Sequence, residues 1–275
     1  MTYLLSEEGR RSLRALAEKP LLYAFDFDGT LAPISPNRDA VQIIPSITEW
    51  IKELAKRVPC AIVSGRALAD LAPRINGMVP YLIGNHGIES SLTPLSTLLL
   101  AEGICTAWKR DITTRFADTL KSLGGEVEDK QYSLTVHYRV RAQEAEVRPA
   151  ILRLLQQLTP APDLIVGKSS VNALPPGQGG KGPAVLALMR HLRQIGLFFV
   201  GDDETDENVF GLTEGLAMGI RVGIHTESQA KFYLKHQGEM EEILRFLVHR
   251  IDRTPEAAHH GSRQTNDTRE TANDS

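Results

Sequence analysis

Asp26 and Asp28 close an apolar run, Leu21 to Phe25, and Gly29 and Thr30 follow at once. Residues at i and i+2 of a strand point the same way, so both carboxylates address one site. Two carboxylates held together repel unless a proton or a cation lies between them. Hard oxygen donors of this kind suit Mg²⁺. A later apolar run, Leu197 to Val200, leads through Gly201 into Asp202, Asp203, Glu204, Asp206 and Glu207. Such a cluster also calls for a cation or solvent. A third run, Cys60 to Val63, ends in Ser64-Gly65-Arg66. A hydroxyl and free backbone N–H groups at a strand end can hold a phosphate oxygen. The planar fork of Arg66 suits an anionic or hydroxylated ligand. Tyr81 to Ile83 leads into Asn85 and His86, set between Gly84 and Gly87, with Glu89 close behind. Lys181 opens a helical pattern, the unfavourable end of the dipole for a cation unless an anion is present.

Each of these groups follows a short apolar run without polar alternation, as in strands of a parallel sheet buried on both faces. In open α/β sheets ligands gather at the carboxyl ends of such strands. The chain therefore reads as α/β. Helices are expected over Ser6 to Lys19, over Ser46 to Arg57 with Glu49 completing a capping box, and beyond Lys181. A strand is expected over Ile220 to Ile224, then helices over Ser228 to Lys235 and Glu239 to His249. Residues 93–166 break this rhythm. Leu95 to Leu123 is helical in composition, Glu126 to Lys130 is charged, and Gln131 to Arg139 alternates. Tyr132, Leu134, Val136 and Tyr138 share one face; Ser133, Thr135, His137 and Arg139 share the other. A helix over Gln143 to Leu158 and short strands over Asp163 to Val166 and Ser170 to Ala173 complete an α+β insert. The expected organisation is a core formed by residues 1–95 and 176–251, an inserted cap at 96–175, and a disordered tail at 252–275.

The chain has 275 residues, 42% of them hydrophobic, enough for a substantial core. A net charge of -3 gives no basis for a nucleic-acid partner. Cys60 and Cys105 sit among apolar residues without C-x-x-C spacing and read as reduced core cysteines. No apolar stretch reaches the length of a membrane span, so a soluble, cytoplasmic protein without a membrane partner is expected. LPPGQGGK is no Walker loop, because Gly182 follows Lys181.

DFDGTL resembles the nucleophile motif of haloacid dehalogenase-like phosphatases. Ser64 with its two followers, Lys181 after an insert, and GDDETDENVF resemble that superfamily's remaining motifs. GNHGIE and KQYSLTVHYR are similar to segments of its trehalose-phosphate phosphatases. The resemblance covers roughly residues 20–250. It implies a Rossmann-like core with a parallel sheet plus an inserted α+β cap. It implies that Asp26 attacks phosphorus, and that Asp28 protonates the leaving alcohol and later activates water. Ser64 and Lys181 would hold the phosphoryl group. Asp26, Asp202 and the backbone carbonyl of Asp28 would hold Mg²⁺, with Asp203 and Asp206 as ligands or orienting groups. Substrate contacts would come from Arg66, Asn85, His86, Glu89, Lys130, Ser133, His137, Arg139 and Asn172. The implied reaction is hydrolysis of trehalose 6-phosphate, with a small sugar phosphate as the partner and no obligate protein partner evident. One departure stands out. The family often carries Glu and Arg in a pattern like E-x-R-P, where this chain has Asn172 and Leu174. That keeps phosphatases of other sugar esters in view, such as mannosyl-3-phosphoglycerate or sucrose 6-phosphate. A catalytically inactive sugar-phosphate-binding regulator is the rival of another class. The joint presence of Asp26, Asp28, Lys181 and Asp202 argues against it.

Overall fold

The structure, a computed structural model, describes residues 1–35, 37–138, 144–167, 169–213 and 218–252. Arg139 and the tail from residue 253 lie outside the described residues.

In chain order the elements are β1 (Thr2–Tyr3), α1 (Glu7–Leu16), β2 (Leu21–Phe25), α2 (Pro45–Ala55), β3 (Cys60–Val63), α3 (Leu68–Ile75), β4 (Tyr81–Gly84) and β5 (Glu89–Ser90). Next come α4 (Leu95–Asp111), a π-helical turn Ile112–Phe116, α5 (Ala117–Ser122), β6 (Gly125–Asp129), β7 (Leu134–Tyr138), α6 (Glu144–Leu155), β8 (Asp163–Gly167) and β9 (Ser170–Leu174). The chain closes with α7 (Lys181–His191), β10 (Gly196–Gly201), α8 (Glu207–Phe210), β11 (Met218–Val222), β12 (Phe232–Leu234) and α9 (Met240–Ile251).

Eight strands form one sheet in the order β1-β12-β11-β10-β2-β3-β4-β5. All pairs in it are parallel except β4 with β5. Strand β2 shows why its sequence does not alternate. Leu21, Tyr23 and Phe25 join the core on one face, with Ile47 and Ile51 of α2 and Ile243 and Leu247 of α9. Leu22 and Ala24 join the core on the other, with Val185 and Leu188 of α7. Both faces are dry, so every position is apolar. Each fully buried Leu or Phe in these layers contributes about 1.5–3 kcal/mol of transfer free energy.

The second sheet is antiparallel in the order β6-β7-β9-β8. Its helix-covered face packs Leu134, Val136, Val171 and Ala173 against Trp108 of α4 and Ile151 and Leu155 of α6. The Trp108 indole N–H donates to the Pro160 carbonyl at 2.8 Å. This is the α+β insert expected from the sequence.

Three local expectations need correction. The segment Ser228 to Lys235 is not helical, because Phe232, Tyr233 and Leu234 form β12 between β1 and β11. Backbone pairing with two neighbours outweighs its weak helical pattern. Helix α2 has no capping box: Pro45 takes its first turn and Ile44 its N-cap, which puts Ser46 already inside. The Leu95–Leu123 helix is broken by the π-helical turn. Helix α1, by contrast, starts as read, with the Ser6 hydroxyl accepting from Gly9 N–H at 3.1 Å. Cys60 and Cys105 are buried and unbridged.

Candidate active site

Strand register sets the floor of the site. Phe25 lies beside Val200 on β10 and beside Ile62 on β3, and Val63 beside Ile83 on β4. The residues that follow these strands, Asp26, Ser64, Asn85 and Asp202, therefore emerge along one edge. Asp26 and Ser64 are anchored by their own backbone, donating to Val200 O and Ile83 O at 2.8 Å each. Gly29 has φ +83°, and a Cβ built there would stand 2.3 Å from Asp202 Oδ2. A side chain at residue 29 is thus excluded both by backbone conformation and by the Asp202 carboxylate above it.

Asp26, Lys181, Asp202 and Asp206 are all buried. Lys181 Nζ donates to Asp26 Oδ1 and to Asp206 Oδ1, at 2.7 Å in both cases. Asp206 Oδ2 accepts the backbone N–H groups of Asp202 and Asp203 at 3.0 Å each. Asp206 thus pins both the ammonium and the turn that carries Asp202. Burial opposes the charge on Lys181, but Asp206 and Asp26 outweigh it and push its pKa up. Burial pushes the Asp26 carboxyl up, Lys181 works against this, and Asp206 and Asp202 add to it. Asp26, Asp202 and Asp206 each place a carboxylate oxygen within 4.8 Å of the others. Three buried carboxylates against one ammonium leave negative charge that a hard divalent cation would balance. The residues present therefore fit a metal of the Mg²⁺ type. With both oxygens of Asp206 engaged by protein donors, Asp26 and Asp202 are the better direct ligands.

Asp28 and Arg66 face each other as a forked pair: Nε to Oδ2 at 2.7 Å and Nη2 to Oδ1 at 2.8 Å. Arg66 also donates to Asp70 Oδ2 at 2.6 Å and to the Arg38 carbonyl at 3.1 Å. Its fork, expected to meet substrate, is thus occupied in this state by the proposed acid–base residue. Asp70 in turn holds Arg74 of α3 at 2.7 Å.

A crevice of about 260 Å³ opens above this floor. Asp26, Asp28, Ser64, Arg66, His86, Lys181, Asp202 and Asp203 line it from the core; Lys130, His137 and Asn172 line it from the cap. Asn85, Glu89 and Ser133 are brought together elsewhere. Asn85 Nδ2 donates to Glu89 Oε2 at 2.6 Å and to the Lys130 carbonyl at 3.0 Å, and Ser133 Oγ donates to Asn85 Oδ1 at 2.5 Å. Glu89 Oε2 also accepts the Leu68 N–H at 2.9 Å. These residues tie the end of β4 to the β6–β7 connection rather than reaching the crevice. Leu174 likewise points away, into an apolar cluster with Ile88 and Ala101. Of the two departures from E-x-R-P, Asn172 is the one that lines the crevice. Its amide accepts from Thr135 Oγ1 at 2.8 Å and donates to Ile165 O at 3.2 Å.

The sequence reading missed Arg38, Glu128 and Ser170. Arg38 Nη1 donates to Glu128 Oε2 at 2.6 Å and meets His137 Nε2, which is itself 2.6 Å from the same Glu128 oxygen. Burial would raise the Glu128 pKa, but His137, Lys130 and Arg38 hold it down at about 2. Glu128 and Lys130 are two apart at the end of β6, a spacing that could have flagged them as a pair. Arg38 carries no local signal; it opens a single 3₁₀ turn, Arg38–Ala40, 90 positions from its partner. Lys130 is buried, donates to Gly65 O at 2.9 Å, and has its pKa lowered to about 8 by burial.

A parallel sheet with paired aspartates after β2, a lysine opening α7, an acidic turn after β10 and an inserted cap define a haloacid dehalogenase-like fold. A solved hydrolase of that type from Bacteroides thetaiotaomicron superposes with a TM-score of 0.57 at 13% identity, covering 82% of this chain and 99% of its own. The sequence model for trehalose-phosphatase matches residues 24–237, and the chain belongs to that family. The trehalose-phosphate phosphatase of Mycobacterium tuberculosis is 28% identical over 270 residues, covering 87% of this chain. This chain spans 64% of that relative's length. A trehalose 6-phosphate phosphatase of Zea mays is 25% identical over 261 residues, covering 86% of this chain and 72% of the relative. The C-terminal domain of the Candida albicans trehalose-6-phosphate phosphatase superposes with a TM-score of 0.69 at 21% identity, over 90% of this chain and 98% of that domain. Among the described residues no helix is long and apolar enough to cross a membrane.

Proposed function

We propose that this chain hydrolyses trehalose 6-phosphate to trehalose and phosphate, with Asp26 as the nucleophile. The observation that carries the reading is the buried Asp26–Lys181–Asp206 chain beside Asp202, set at the carboxyl ends of β2 and β10 in a member of the trehalose-phosphatase family. A carboxylate oxygen of Asp26 attacks phosphorus, the bond from phosphorus to the sugar oxygen breaks, and Asp28 protonates that oxygen. Water then attacks the aspartyl phosphate, Asp28 takes its proton, and the bond to Asp26 breaks to release phosphate. Ser64 and Lys181 hold the non-bridging oxygens. Mg²⁺, held by Asp26, Asp202 and the Asp28 carbonyl, would draw charge from the phosphoryl group. Asp28 must release at least one oxygen from Arg66 to reach the leaving group. Substrate arrival therefore has to compete with that pair.

The second reading is a phosphatase of another phosphorylated sugar. It is favoured by Asn172, a neutral amide on the crevice wall where the family often has Glu. Phosphate release from trehalose 6-phosphate, sucrose 6-phosphate, glucose 6-phosphate and mannosyl-3-phosphoglycerate, with Mg²⁺ present, separates the two. Preference for trehalose 6-phosphate, lost by about 10³-fold or more in Asp26→Asn, is the expected result. Preference for another ester would move the assignment to that sugar.

A further inference from the structure

Arg66, Asp70 and Arg74 recur at intervals of four, which sets them along one face as the chain enters and runs through α3. On a helix surface such a pattern is ordinarily a set of solvated ion pairs. Here both arginines reach past the helix. Asp70 Oδ2 accepts from Arg66 Nη1 at 2.6 Å, and its Oδ1 accepts from Arg74 Nε and Nη2 at 2.9 and 2.7 Å. The two oxygens are thus divided between the two guanidinium groups. Arg66 directs its remaining donors to both oxygens of Asp28 and to the Arg38 carbonyl. Arg74 Nη1 donates to the carbonyls of Asp39 and Val41 at 2.9 Å each. The backbone of residues 38–41 is therefore gripped at three carbonyls by two arginines that Asp70 joins.

That segment also ends in the cap. The Arg38 carbonyl is held by Arg66, while the Arg38 side chain meets Glu128 and His137. The proposed acid–base residue and the core's ion pair to the cap are thus two branches from one carboxylate. Arg66 is buried, with its guanidinium 5.4 Å from the Phe27 ring centroid. Among the described residues, Asp28 and Asp70 are the two carboxylates it meets. Removing the second leaves Asp28 and the Arg38 carbonyl to orient the fork alone. Asp70 itself lines no part of the crevice.

We propose that Asp70 is a positioning residue that sets Asp28 and the cap-contacting segment 38–41 in register on one support, α3. Its action on Asp28 runs through Arg66, and its action on the cap runs through both arginines and Arg38. This rests on the sugar-phosphatase reading for the role of Asp28 and adds to it what fixes that residue relative to the cap. A cap movement that shifts Arg38 acts on the Arg66 fork, the same fork that must release Asp28.

The test is a double-mutant cycle on the sugar phosphate that wild type prefers, with wild type, Asp70→Asn, Arg66→Lys and the double variant. Asparagine keeps the size of Asp70 and one acceptor, but its amide group then faces one guanidinium donor. Asp70→Asn should lower kcat about five- to tenfold and leave KM within about twofold. The double variant should be no slower than Arg66→Lys alone, within about twofold, because both changes remove the same alignment. Losses that multiply, a wild-type kcat, or an effect confined to KM would each overturn the proposal. Hydrogen-exchange mass spectrometry supplies a readout that needs no turnover. In Asp70→Asn, residues 37–41 and β6 should exchange faster while β2 is unchanged. Equal protection in both proteins, or faster exchange throughout, contradicts the proposal. Wild type that turns over no sugar phosphate would reject the function reading, and the exchange comparison then decides by itself whether Asp70 carries the segment.

Discussion

At the residue scale, the site depends on which charges are paired before substrate arrives. Arg66 holds both oxygens of Asp28 through a planar fork that lysine cannot reproduce. Arg66→Lys should therefore lower kcat by about tenfold while changing KM little, because Asp28, the proposed acid, loses its alignment while the proposed phosphoryl contacts stay. Steady-state kinetics on the preferred ester checks this; a rise in KM at constant kcat would instead place Arg66 on the substrate. Lys130 gives a pH prediction. Its folded pKa is lowered to about 8 by burial; Glu128 opposes the shift, Arg38 and Arg66 add to it, and Asp28 opposes it. The unfolded side chain keeps its proton to about pH 10.4. Between these values the unfolded chain holds more protons, so this lysine's contribution makes folding stability rise with pH. Urea unfolding at about pH 7 and about pH 9.5 should show wild type gaining on Lys130→Met at the higher value. A constant difference would contradict it. Residues in contiguous motifs, such as Asp26, Asp28 and Asp202, were legible in the sequence because chemistry and position are fixed together. Arg38 was not, since its pairing with Glu128 is made by the fold alone.

At the element scale, what matters is that four strand ends deliver their polar residues to one edge. The acidic turn after β10 and the turn after β2 meet at Gly29, beneath Asp202. Gly29→Ala should destabilise the protein by more than about 1 kcal/mol and weaken Mg²⁺ binding, as read by denaturant unfolding and by calorimetric titration of the metal. Unchanged metal affinity would show that Asp202 is free to move. The buried strands β2, β3 and β10 were legible as short apolar runs, and β7 as an alternating one. What alternation could not give was the meaning of the polar face. Ser133 and Thr135 are buried rather than solvated, since this face of the cap sheet meets the core. Strand β12 was illegible for another reason: three residues carry too little pattern, and one of its two partners, β1, lies at the other end of the chain.

At the scale of the whole molecule, the cap and core are held together across the crevice mouth by Arg38, Glu128 and His137. The open crevice of about 260 Å³ lies below the ~300–1,000 Å³ usual for ligand pockets. For the disaccharide phosphate proposed above as substrate, a crevice of this size calls for the cap to move, and this ion pair is one contact that such a movement would break. Arg38→Ala should speed amide exchange in β6 and β7 and leave β2 unchanged, measured by hydrogen-exchange mass spectrometry. Equal protection in both proteins would show that other contacts hold the cap. The insertion of a cap between motifs was legible as a break in rhythm, but its docking was not, because that rests on pairs between residues far apart in the chain.

The most direct test of the account is an acid-quenched single turnover with trehalose 6-phosphate radiolabelled in its phosphate, with Mg²⁺ present. The account predicts transient label on the peptide that contains Asp26, and none in Asp26→Asn. Phosphate release at the wild-type rate by Asp26→Asn, or label on any other peptide, would contradict it.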